Sequence, residues 1–227
     1  MTDLTPYEHS WVGLLGELRA CAALQVSRAE QGPVSQVFGD AATEFANLEE
    51  FEGISLDPAL QGCYFRFISM AAAWEVAESE SPIAGEFDVA HISDVLSGNP
   101  PELGWPNPTP AERELLSQLR GFDGTTMTGV GHLTALRVQP GVGNPELWFD
   151  TGPLGVHRMD IDYCAYLDAL RVTKGTFGWQ YLFTEVSLAR EDHESTAQRL
   201  TGMLDLFPRL FPAHDYSDLR ARLEARL

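Results

Sequence analysis

The sequence predicts an α+β fold: a mostly antiparallel central sheet with helices packed against it and helical extensions at both ends. Three observations predict it. Capping boxes open helices at Thr5 and Thr109, alternating strand-like stretches fill the middle of the chain, and helical patterns return after residue 194. The 227 residues, 44% hydrophobic and 10% aromatic, read as one folded domain, 1–227, able to bury a sizeable core.

The elements follow in order. In Thr5-Pro6-Tyr7-Glu8, the Thr5 hydroxyl can accept from the Glu8 amide and Glu8 can reach back to the Thr5 amide, with proline at the first helical position. The spacing predicts a helix over 6–30, stopped by "QGP" at 31–33. "DAATEFANLEEFEG" (40–53) predicts a shorter helix ending at Gly53. Asp57-Pro58 reads as the start of a third helix, "PALQGCYFRFISMAAAWEVAES", whose Leu60, Tyr64, Phe67, Ala71 and Trp74 fall at helical spacing. "GEFDVAHI" (85–92) alternates as a strand, with Phe87, Val89 and His91 on one side and Glu86, Asp88 and Ala90 on the other. Ser93-Asp94 opens a short helical turn to Leu96, and the Pro- and Gly-rich "SGNPPELGWPNPTP" is a loop. A second capping box, Thr109-Pro110-Ala111-Glu112, opens a helix that Gly121 can close. "HLTALRVQ" (132–139) is a strand, and "PELWFD" and "VHRMDI" flank "TGPLG" as a hairpin. "DYCAYLDALRVTK" is helical, "WQYLFTEV" (179–186) reads as a last strand, and helices are expected at about 194–207 and 217–227.

Charge bounds the partners. Fifteen Lys and Arg against 33 Asp and Glu give −18, a field that repels nucleic acid and anionic membranes and attracts a basic protein. No apolar run approaches the ~20 residues that span a bilayer, and "MTDLTPYEHSW" lacks the marks of a signal peptide. Cys21, Cys63 and Cys164 are odd in number and far apart, so neither a disulfide framework nor a zinc site is expected, and the chain is expected to be cytoplasmic and reduced.

No catalytic signature emerges. "TGVGHL" and "PGVGNPE" lack the third glycine or the Lys-Ser/Thr ending of nucleotide loops and read as turns. No G-x-S-x-G, H-E-x-x-H or C-x-x-C occurs. "EDHES" (191–195) reads as the solvated start of a helix. The densest cluster is "HRMDID", with His157, Asp160 and Asp162. In a strand, His157 and Asp160 face opposite sides, and either aspartate can cap the following helix, so capping explains all but the histidine. Catalytic residues, metal and cofactor are all expected to be absent, and an enzyme built on His157 and Asp160 is the least favoured reading. His91, on an apolar strand face, reads as a hydrogen-bonded core residue.

The segments "LEEFEGISLDPALQGCYFRF" (48–67), "GEFDVAHISDVL" (85–96) and "ELWFDTGPLGVHRMDIDYCAYLDALRVTKG" (146–175), followed by "GWQYLF", together resemble the SUKH superfamily of yeast cell-wall synthesis regulators and bacterial toxin-immunity proteins. The resemblance covers about 45–186, with 97–121 as an insertion and the terminal helices as extensions. Asp57 interrupts the Leu-Pro pair that the family usually shows. The resemblance implies a non-catalytic protein-binding fold, as in immunity proteins that neutralise toxins such as nucleases; the alternative is a regulator or scaffold binding a cellular partner. For the binding surface, Trp148 between Glu146 and Asp150 is the candidate anchor if Leu147 and Phe149 face the core, with Glu86 and Asp88 secondary. If the insertion or the C-terminal helices cover that face, Trp148 is ordinary core.

Overall fold

The structure, a computed structural model, describes residues 3–77, 83–103, 107–152 and 155–227. Parts of three expected segments lie outside the described residues: the end of the helix from Pro58 (78–79), the middle of the loop at 97–110 (104–106) and the hairpin connection (153–154).

The fold is α+β, built on a seven-stranded antiparallel sheet whose strand order is the order of the chain. The strands are β1 (Leu24–Gln31), β2 (Ser69–Val76), β3 (Ala84–Ala90), β4 (Leu119–Gly124), β5 (Leu133–Arg137), β6 (Glu146–Asp150) and β7 (Val156–Arg158). The helices are α1 (Pro6–Ala20), α2 (Ala41–Asn47), α3 (Ile92–Leu96), α4 (Pro110–Gln118), α5 (Tyr163–Thr173), α6 (Glu194–Leu210) and α7 (Ser217–Arg226).

One face of the sheet carries the core. Ala72 lies opposite Phe87, Met70 opposite Val89, Leu136 opposite Leu147 and Thr134 opposite Phe149, so these side chains share a face. Against them pack Trp11 of α1, 6.2 Å from Phe87, Tyr166 of α5, 5.0 Å from Phe122, and Phe207 of α6, 5.8 Å from Trp74. The buried apolar residues form one cluster running from Trp11 to Leu223.

Both capping boxes form as expected, at Thr5–Glu8 and Thr109–Glu112. Asp40 caps α2, which runs into a wider turn, Leu48–Glu52, ended by Gly53 at φ 69°. Four expected elements are corrected. α1 stops at Ala20, and residues 24–31, expected as the rest of that helix, form β1. The helix expected from Pro58 is a 3-10 turn, Pro58–Cys63, followed by β2. These two errors share a cause. β1 and β2 pair with each other, and β2 is buried on both faces, with Ala71 and Ala73 at 1% exposure behind Met70, Ala72 and Trp74. A run apolar on both faces shows no period of two, and its alanines favour helix until pairing overrides them. Third, α4 ends at Gln118, and Gly121 lies in β4, where a Cβ would come 2.9 Å from Leu133. Fourth, 179–186 is a 3-10 turn, Trp179–Phe183, with a single bridge from Thr184 to Met159.

The cysteine expectation is also overturned. Cys63 and Cys164 form a disulfide joining the 3-10 turn to α5, while Cys21 is free. Sequence spacing carries no sign of it, because the two are 101 residues apart and meet only through tertiary folding. No helix among the described residues is long and apolar enough to cross a membrane.

Two predictions follow from these contacts. Replacing Cys63 and Cys164 together by alanine reopens a loop of 101 residues, and should lower stability to urea by roughly 2–4 kcal/mol; an unchanged midpoint would show the bond contributes nothing. The second concerns Glu8, a fully buried carboxylate that accepts from Thr5 N at 2.8 Å, Arg66 N at 2.9 Å and the Arg66 guanidinium at 2.6 Å. Burial alone would raise its pKa, but the hydrogen bonds from Arg66 and Thr5 outweigh that and hold it at about 2. A depressed folded pKa stabilises above the unfolded value and is lost as pH falls through the folded one. Glu8→Gln should therefore cost about 3 kcal/mol at pH 7 and progressively less as pH falls from the ordinary 4.5 toward about 2, read by urea unfolding along that series.

Candidate protein-binding surface

The outer face of the sheet, opposite the helices, is where the sequence places Trp148 and its acids. β6 turns Leu147 and Phe149 fully inward, so Glu146, Trp148 and Asp150 do share the outer side. They are not equally available. The Glu146 carboxylate lies 3.1 Å from Arg137 and 3.0 Å from Arg158, and accepts from the Trp148 indole N–H at 3.3 Å. Two guanidiniums thus offset the one acid, and Trp148 is half-buried between Ala135 and Arg158 on the neighbouring strands. Asp150 is buried at 6% exposure and accepts from Gly152 N at 3.1 Å.

Glu86 and Asp88 lie at a separate place, with β4 and β5 between their strand and β6, a separation of roughly 14 Å. Glu86, expected on an open outer face, is buried at 3% exposure, because the β4–β5 loop folds back over it. It accepts from Met127 N at 2.6 Å and Thr128 N at 3.0 Å. Asp88 pairs with Arg28 at 2.8 Å and accepts from Thr126 Oγ1 at 3.1 Å. A carboxylate so occupied is satisfied within its own chain.

The histidines do not converge on a site. His157 lies opposite Phe149 on the inner side, 6.1 Å from Tyr181, whereas Asp160 is exposed and pairs with Arg222 at 3.1 Å. His91 is fully buried, accepts from Ser93 N at 3.1 Å to cap α3, and stacks 3.6 Å from Phe38; burial pulls its pKa down to about 4. No group of three or more His, Cys, Asp or Glu that could hold a metal exists among the described residues.

A further acidic surface, open to solvent, is one that sequence reading did not assemble. Between α5 and α7 runs a cleft of about 420 Å³. Ile161, Ala169, Val172, Phe183 and Leu219 floor it, and Asp160, Asp162, Asp168, Asp215 and Asp218, all exposed, form its rim. Arg222 enters it from α7, its guanidinium 4.3 Å above the Phe183 ring and bonded to Asp160 and Asp218. Of the two aspartates in "HRMDID" that could cap α5, Asp162 does so, accepting from Ala165 N at 2.8 Å, whereas Asp160 pairs with Arg222 in the cleft. The signal in sequence was partial: two rim residues sit in that cluster, but Asp215 and Asp218 come from a segment over 50 residues on.

Sequence reading also missed a polar pocket inside the core. Asp123, on the inner face of β4, accepts from the Tyr166 hydroxyl at 2.7 Å and from Asp88 N at 3.0 Å, and Tyr166 meets Thr134 at 2.8 Å. Burial drives the Asp123 pKa up to about 7, against the lowering effect of those two bonds.

Searches against family models, curated proteins and solved structures find no match to this chain.

The Asp123 geometry makes a signed prediction. Folding favours its protonated form, so between the ordinary 3.8 and about 7 the native state holds a proton that the unfolded chain has released, and stability falls as pH rises through that window. Asp123→Asn should flatten the decline between pH 5 and 7.5 in denaturant melts; an unaltered pH profile would show that the carboxyl is ionised throughout.

Proposed function

We propose that this chain is a non-catalytic protein-binding domain whose partner is basic, and that it acts as an immunity protein neutralising a basic bacterial toxin such as a nuclease. One observation carries the reading: within a chain of net charge −18, five exposed aspartates rim an open, apolar-floored cleft. Acids that are buried or paired, such as Glu8, Glu86 and Glu146, add to the net charge but present little to a partner. The cleft presents both terms that association uses, a field that steers a cationic partner and apolar area to desolvate. The resemblance to immunity proteins supplies the biological class. In a cytoplasm that keeps thiols reduced, the domain acts with Cys63 and Cys164 as thiols; in an oxidising compartment it carries the crosslink.

The test is to recover the partner from the source organism and measure affinity by calorimetry from about 50 to 500 mM salt, where the screening length shrinks from ~14 Å to ~4 Å. A basic partner, with affinity falling steadily as salt rises, is the expected result. Tight binding that ignores salt, or an acidic partner, would remove the electrostatic basis, and a measured turnover abolished by His157→Ala would make the chain an enzyme.

A further inference from the structure

We infer that the cleft between α5 and α7 is the docking groove for a partner segment that combines arginine with an apolar anchor. This rests on the protein-binding reading above and locates it. Arg222 shows what the groove accommodates. Its guanidinium carbon lies 4.3 Å from the Phe183 ring centre, and its nitrogens reach two carboxylates, Asp160 at 3.1 Å and Asp218 at 2.9 Å. A planar guanidinium suits that arrangement better than an ammonium, because it stacks on the ring while its N–H groups fan toward carboxylates in its plane.

Charge in the groove is left over after its internal pairs are made. Arg222 serves Asp160 and Asp218, and Arg171 serves Asp168 at 2.6 Å. Asp162 and Asp215 pair with no cation among the described residues; each gives one oxygen to a backbone N–H, of Ala165 at 2.8 Å and Ser217 at 2.9 Å. Along the floor, Ala169, Val172 and Ile161 remain only partly covered, and at Ala165 and Ala169 the side chains of α5 are too small to close the cleft. A cation alone would meet the rim and leave this floor wet. An apolar segment without arginine would cover the floor and leave the aspartates facing it unpaired. The occupant that meets both is an amphipathic basic segment, with arginines at the rim and an aliphatic side chain on the floor.

The full chain, labelled for amide NMR, is titrated with a synthetic 14-residue peptide carrying arginine and leucine at helical spacing. Two controls have citrulline in place of arginine, or serine in place of leucine. Saturable shifts confined to α5, α7 and residues 160–162 are expected, with each control peptide binding at least about tenfold more weakly. Asp162→Asn with Asp215→Asn, which keeps a side-chain oxygen for the Ala165 and Ser217 amides, should weaken binding about tenfold. Ala169→Phe should block it by filling the floor, while Trp148→Ala on the outer face leaves it unchanged. Shifts centred on Trp148 would overturn the groove while leaving the protein-binding reading standing. Equal binding of the citrulline peptide, displacement by spermine alone, or no saturable binding would each overturn the inference. The salt series on the natural partner decides the broader reading independently.

Discussion

The contact on which the rest of this structure depends is backbone against backbone, where the end of α5 meets β3. Glu86 N donates to Gly175 O at 3.0 Å, Phe177 N donates to Ala84 O at 3.0 Å, and the Trp74 indole N–H donates to Lys174 O at 2.7 Å. The approach is possible because Gly85 and Gly175 carry no side chains. A Cβ on Gly85 would come 2.7 Å from Gly175 O, and one on Gly175 would come 2.9 Å from Glu86 O. Gly175 also turns the chain at φ 70° just after Lys174 turns it at φ 56°. The helical layer is thereby pinned to the sheet at one point. From that point Lys174, fully buried, extends its ammonium to Glu17 of α1, to Arg171 O at 2.8 Å and to His214 at 3.0 Å in the segment before α7. Burial works against its charge and Glu17 works for it, with burial the larger effect. The cleft follows from this: α5 is fixed to the sheet, and α7 is held beside it through His214 and through Leu188 N donating to Arg226 O at 2.8 Å.

The legible parts of the fold were those fixed by local chemistry. Capping boxes, an aspartate cap on α5 from "HRMDID", the Gly53 terminator and the β6–β7 hairpin all depend on residues within a few positions of one another, and all stand where the sequence puts them. What could not be read depends on partners far along the chain. β1 and β2 are strands because they pair with each other, some 45 residues apart. The Trp179–Phe183 turn has the aromatic texture of a strand, but β7, the sheet edge beside it, is only three residues long, and among the described residues a single bridge, Thr184 to Met159, forms there. The same division runs through the candidate surface. Alternation placed Glu146, Trp148 and Asp150 on one face correctly, but only the structure shows Arg137 and Arg158 around Glu146 and a loop over Glu86.

The acids of this chain do unlike work despite their common charge. Glu8 and Glu86 act as scaffolding, satisfying backbone amides that would otherwise be stranded. Asp123 is a buried hydrogen-bonding group beneath α5, and burial shifts it toward its protonated form. Asp162 and Asp215 on the rim of the cleft have no cationic partner among the described residues, and neither do the exposed Glu49, Glu50 and Glu52 after α2. A net charge read from composition counts buried, paired and exposed acids alike, so it does not say where a partner meets the field.

The strictly sequential sheet has a consequence for how the chain is made. Each strand pairs with the one synthesised before it, so the growing polypeptide can extend the sheet edge by edge as it leaves the ribosome. α1 precedes every strand in the chain and can shield Phe87 and its neighbours through Trp11. The cover for Phe122 is Tyr163 and Tyr166 of α5, translated some 40 residues later, and Trp74 waits for Phe207 at the far end. A nascent chain halted between β5 and α5 would hold a nearly finished sheet with half of its greasy side bare, the state in which a folding helper is most needed.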